Sequence, residues 1–292
     1  MKKVISFCLW EQDKETRRDQ PGIEQYFIGA ILNADIAKKY WEDWTCRYYI
    51  DSSTVPESLI TELKSRDNVE VVLFENNEGY FSTLWRFYAI GDDLDYVICR
   101  DVDSRLNIRD KAAVDEWISS DEDFHIMRDH CQHTRPIAAG MFGAKGGVLL
   151  NMSELINMAR VKSKQQNQHN WFGIDQLFLE KIIYPYVKKR SLIHDEWTDP
   201  TQLIFAGEKK RPFPIPRETG DGWWKRDLPE WHSGIEDDAD KYPHWQSPDG
   251  PGHCFLKCPA CNTFHDNEYI GKHRFITSDE KKKYEHIMKD IL

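Results

Sequence analysis

From Val4 onward, short apolar runs alternate with segments of helical periodicity, and few folds can absorb such an order. "VISFCLW" (Val4 to Trp10), "CRYYID", "VEVVLFE" and "YVIC" read as strands, while "GAILNADIAKKYW" (Gly29 to Trp41), "PESLITELKSR" and "STLWRFYAIG" repeat their apolar residues at helical spacing. "AAVDEWISS" continues as a helix and "FHIMRDH" as a strand. Strands separated by helices predict a doubly wound, mostly parallel α/β sheet with helices on both faces, because the crossover between parallel strands needs a helix to return the chain. The 292 residues, 40% apolar and 13% aromatic, suffice for a large buried core.

A formal charge of -10 and a pI of about 5.6 speak against a broad nucleic-acid or anionic-membrane surface, so an anionic ligand would have to be held by local cations. The apolar run at the amino end stops at Trp10, short of a secretory h-region, and no stretch approaches the roughly 18 apolar residues of a membrane span. Together with an odd number of cysteines, this gives the expectation of a cytoplasmic protein without a membrane span.

The fourth apolar run leads into "CRDVDSRL". In open α/β sheets ligands bind outside the carboxyl ends of the strands. If the segment stays extended, residues two apart face the same side, and Asp101 and Asp103 aim both carboxylates at one point. Such a pair suits a hard divalent ion, Mg²⁺ or Mn²⁺, which commonly completes its shell with substrate phosphate oxygens. The plainer alternative is a solvated pair neutralised by Arg100 and Arg105.

"VISFCLW", "GAILNADIAKKYW", "CRYYIDSS", "LWRFYAIGD", "RDVDSRLNIRDKAAVDEWISSD", "FHIMRDHCQH", "GMFGAKGG" and "GIDQLFLEKIIYPYV" resemble, in order, a family of small GT-A glycosyltransferases of bacteria and large DNA viruses. The likeness runs from Val4 to Glu196, and its D-x-D-S-R block is the specific part. It implies a GT-A domain over residues 1–206 that moves a sugar from a UDP- or GDP-linked donor to a glycan acceptor with Mn²⁺ or Mg²⁺. Asp101 and Asp103 would then be metal ligands, with His194 at the end of "SLIHDEW" as a third.

Under the same resemblance Phe7, Leu9, Trp10 and Arg47 would form the base and ribose pocket, although Phe7 and Leu9 read equally as core. Arg86 and Arg105 are candidates for donor contacts, each with an ion pair in the scaffold as its alternative, and Lys210 could touch the diphosphate. Asp129, His130 and His133 in "HIMRDHCQH" suit hydrogen bonds to sugar hydroxyls, with Asp129 the choice for the donor sugar. Gly140 and Gly143 would let backbone approach a sugar ring, or form a glycine-rich turn. Asp175 in "NWFGIDQLFLEK" would be the general base of an inverting transfer or the stabiliser of an oxocarbenium-like state in a retaining one.

Beyond residue 206 the periodicity fades. Residues 207–292 are expected to form an irregular arm rich in proline and tryptophan. Within it "GHCFLKCPACNTFH" (253–265) spaces Cys254, Cys258, Cys261 and His265 like a structural Zn²⁺ knot, with His253 as an alternative fourth ligand. Two other functions are compatible with these features. One is a phosphotransferase of the haloacid dehalogenase type, whose D-x-D normally follows the first strand; the other is a zinc-dependent binding module with a degenerate transferase domain.

Overall fold

Eight strands form one mixed sheet in the order β3-β2-β1-β4-β6-β5-β7-β8. The computed structural model describes residues 1–11, 24–75, 77–128, 135–195, 203–215 and 278–288. The strands are β1 (Lys3–Leu9), β2 (Trp44–Asp51), β3 (Val69–Phe74), β4 (Tyr96–Cys99), β5 (Phe124–Arg128), β6 (Phe142–Lys145), β7 (Ser191–Asp195) and β8 (Lys209–Arg211). Every pairing is parallel except those of β6, which runs against both β4 and β5. The α/β expectation is met at this level, with all strands but β6 pointing their carboxyl ends to the same side.

Both faces of the sheet are covered, and β1 shows how. Ile5, Phe7 and Leu9 join one core cluster with α1 (Glu24–Tyr40), α2 (Glu57–Lys64) and α3 (Ile108–Ile118). Val4 and Cys8 join the other, with a 3-10 segment (Gly79–Gly91), α4 (Met152–Gln165), α5 (Ile174–Phe178) and α6 (Tyr184–Val187). A strand buried on both faces needs apolar residues at odd and even positions, which is why β1 reads as an unbroken run.

Local chemistry sets the details. Asn107 caps α3 by accepting the Asp110 N–H at 2.8 Å. Between α5 and α6 the helix widens into a π turn (Leu179–Ile183) just before Pro185, whose missing N–H cannot close the regular ladder. The segment expected as an α-helix over "STLWRFYAIG" is instead a 3-10 helix lying along β1. Its carbonyls are claimed from the sheet: Ser6 Oγ donates to the Arg86 carbonyl at 2.6 Å and the Cys8 thiol approaches that of Thr83 at 3.6 Å. Carbonyls drawn toward the strands are poorly placed for i to i+4 bonding.

Three departures from the sequence reading bear on the site. The glycine-rich stretch, expected to let backbone approach a sugar ring or to form a turn, supplies β6, where Gly143 pairs with Ile98. A Cβ on Gly143 would lie 3.1 Å from both Ile98 and Trp117, so this glycine makes room for a helix side chain in the core rather than for a sugar. The sheet also runs past residue 206, since β8 lies at 209–211. Finally, α7 (Ser278–Lys283) and α8 (Glu285–Met288) send Tyr284 and Ile287 into the core cluster of α1, so part of the expected arm belongs to the main core. The remainder of the arm, including Cys254, Cys258, Cys261 and His265, lies outside the described residues, as do Asp129, His130 and His133.

Candidate active site at the carboxyl ends of the central strands

The strand order reverses between β1 and β4, and the loop from Arg100 to Leu106 leaves β4 at that point. This is where an open α/β sheet leaves a crevice for a ligand. The loop is a turn rather than a continued strand: the Ser104 N–H bonds the Asp101 carbonyl at 3.1 Å. The period-two reasoning about the D-x-D pair therefore does not apply. The Asp101 side chain keeps 38% of its surface exposed, whereas Asp103 as a whole keeps 4%.

The loop is held from behind by α1. Asn33 Nδ2 donates to the carbonyls of Val102 and Ser104, both at 2.9 Å, and its Oδ1 accepts the Leu106 N–H at 3.1 Å. One turn earlier, Gly29 lets the loop come close: a Cβ there would sit 2.7 Å from the Val102 carbonyl and 2.8 Å from Arg105 Nη1. Arg105 is thus wedged between helix and loop, and it donates to the Asp103 carbonyl at 3.4 Å. Arg100 turns away to clasp Asp110 of α3 with two bonds of 3.0 and 2.8 Å, so it does not neutralise the aspartate pair.

Arg86 joins the site together. Its guanidinium donates through Nη1 to Asp101 Oδ1 and through Nη2 to Asp175 Oδ2, linking the first acid of the D-x-D to the first turn of α5. Arg86 is 4% exposed and Asp175 is 7% exposed. Burial would push the guanidinium down, but the Asp101 and Asp175 carboxylates outweigh it and hold Arg86 well above the ordinary arginine value. The second oxygen of Asp175 accepts the Gln176 N–H at 2.8 Å. The Gln176 side-chain amide donates to the Ile137 carbonyl at 3.2 Å and accepts the Ala139 N–H at 3.0 Å, tying α5 to the loop ahead of Gly140. Gly140 presses on Asp101, because a Cβ there would overlap its Oδ2. Cys8 lies within the field of all three charges, yet burial pushes its thiol up to about 11, so it stays a protonated wall of the site.

Other expected residues sit elsewhere. Arg47 is engaged on β2 with Glu70 at 2.8 Å and with Asp92, four residues short of the strand's carboxyl end. Phe7 and Leu9 are core, Phe7 stacking on Tyr48 at 4.9 Å, while Trp10 at the end of β1 is half-buried. Lys210 stands 3.4 Å from Asp195 and 3.8 Å from Glu208, in a network where Arg128 bridges the same two acids. His194 is fully buried, its Nδ1 2.8 Å from His125 Nε2 and its Nε2 3.3 Å from Glu116, so both ring nitrogens face partners other than the D-x-D pair. The trio Asp101, Asp103 and His194 is not assembled, and among the described residues no three His, Cys, Asp or Glu side chains gather as a metal site.

Sequence reasoning missed Gly29 and Asn33. The available signal was their spacing, a small residue and an amide one turn apart within an otherwise apolar helical stretch. No protein-family model matches the chain, and no curated protein matches it.

Proposed function

We propose that this chain is a metal-dependent GT-A glycosyltransferase, moving a sugar from a UDP- or GDP-linked donor to a glycan acceptor. The observation that carries this reading is the Arg86 bridge, which brings Asp101 and Asp175 to one place beside the point where the strand order reverses between β1 and β4. An antiparallel β6 set between β4 and β5 and the D-x-D-S-R loop after β4 are in keeping with the family resemblance.

Mg²⁺ or Mn²⁺ takes one or two carboxylates from a protein when phosphate oxygens supply the rest of its shell, and Asp101, part-exposed, with Asp103, buried in the same turn, would be those ligands. The ion would offset the charge gathering on the departing diphosphate. Arg86 fixes the Asp175 carboxylate and keeps a positive charge beside it. Asp175 then takes the proton from the acceptor hydroxyl as it attacks the anomeric carbon, if the transfer inverts. If the transfer retains configuration, Asp175 instead stabilises the positive charge on the ring. Gly140 leaves the room that Asp101 needs.

The test is a panel of UDP- and GDP-sugars with Mn²⁺, followed by thermal shift and slow donor hydrolysis. Metal-dependent stabilisation by one nucleotide class is expected, with loss in Asp103→Asn. Equal binding by that variant, or no nucleotide effect on the wild type, would overturn the assignment.

A further inference from the structure

Two aromatic side chains on the loop entering α5 are exposed without any part in the core: Trp171 at 51% and Phe172 at 58%. The same loop delivers Asp175 one turn later. Phe172 meets Tyr80 edge-on at 5.5 Å and 84°, and Tyr80 meets Trp10 at 5.9 Å and 86°, so a row of rings runs from the end of β1 to the helix that carries the candidate acid. The row is pinned by one side-chain and one backbone bond: Asn170 Oδ1 accepts the Tyr80 N–H at 2.9 Å, and the Ile174 N–H bonds the Trp171 carbonyl at 3.1 Å.

We propose that Trp171 and Phe172 form the acceptor subsite and take the C–H face of a pyranose ring, a deduction that rests on the transferase reading. Flat apolar rings beside polar amides match a sugar, which offers a C–H face ringed by hydroxyls. The exposed amides of this loop are Asn167 and Asn170, both ahead of the rings in sequence, with Asn170 keeping its Nδ2 beyond the bond its Oδ1 makes to Tyr80. A protein or lipid partner calls for a broader apolar surface. That kind of surface occurs elsewhere, in the groove of Leu155, Met158, Val161, Ile182 and Tyr186 along α4 and α6.

Saturation-transfer NMR on the full chain tests the proposal, with methyl glycosides of glucose, galactose, mannose, rhamnose and N-acetylglucosamine as probes. Saturation of the ring protons on one face is expected for at least one glycoside, reduced at least tenfold in Trp171→Ala/Phe172→Ala and largely kept in Trp171→Phe. Both side chains are exposed, so the variants should melt with the wild type. No saturation of any glycoside by the wild type, an unchanged signal in the double variant, or a dimer that the double variant dissolves would each overturn it. The manganese-dependent nucleotide shift, read on the same samples, separates the two ideas. Nucleotide binding without a glycoside signal removes only the acceptor subsite, whereas absent nucleotide binding removes the transferase reading.

Discussion

Replacing Arg86 by methionine should destabilise the protein far more than a surface change, and the size of the loss follows from what the guanidinium leaves behind. Asp175 is 7% exposed and would be left without the cation it pairs with. Breaking a buried pair from one side costs about 3–5 kcal/mol. Asp101 adds little, because 38% of its side chain already meets water. The lower end, about 3 kcal/mol, is therefore expected. At about 2–4 °C per kcal/mol for a domain of this size, Tm should fall by roughly 6–12 °C. Equilibrium urea unfolding of Arg86→Met, Asp175→Asn and the double variant measures this directly. The double variant, with no orphaned charge, should recover more than half of the loss, giving a coupling energy of about 1.5 kcal/mol or more. A loss below about 0.5 kcal/mol, or strict additivity, would refute the idea that Arg86 and Asp175 act as a buried pair.

Gly140→Ala should abolish manganese-dependent nucleotide binding, since the new methyl displaces the Asp101 carboxylate and meets the Asp101 backbone nitrogen at 3.0 Å; unchanged binding would detach Gly140 from the site. Arg47→Met should cost about 1–2 kcal/mol through its pairs with Glu70 and Asp92 yet leave nucleotide binding intact; loss of binding at unchanged stability would return Arg47 to the donor pocket. Stability should fall below about pH 6.5, the ordinary histidine value. Burial, with His194 and Arg100 adding to it, drives His125 well below that value, and burial likewise lowers His194. The unfolded chain therefore binds more protons there, and what the neutral pair contributes is complete above pH 6.5 and lost as pH falls, at up to about 1.4 kcal/mol per pH unit for each histidine. His125→Phe should flatten the urea-derived slope, and a wild type equally stable at pH 7 and pH 5 would contradict this.

Where periodicity was strong, the chain could be read directly. β1, β2 and β3 are apolar on both faces, and α1 to α3 repeat their buried residues at helical spacing, so the winding of the sheet followed. β6 was hidden because its pairing partners are distant in sequence and its glycine is small to admit Trp117, a reason that exists only in three dimensions. The same limit governed the charged residues. Asp101 could be nominated from local context, and Arg86 and Asp175 from the resemblance, but not the bridge between them. The scaffold pairs of Arg47 and Lys210, and the His125 partner of His194, depend likewise on which strands become neighbours. The D-x-D turn deceived for a different reason, since spacing reports orientation only while the backbone remains extended.

The docking of Tyr284 and Ile287 against α1 makes the segment of α7 and α8 a buttress for the loop from Arg100 to Leu106. Tyr284 reaches Asp35 at 3.4 Å, two residues beyond the asparagine that grips that loop. A chain cut after Ile215 would strip this backing from α1 and loosen the aspartates from the rear. Such a fragment, though it contains every proposed catalytic side chain, should bind nucleotide more weakly than the intact protein.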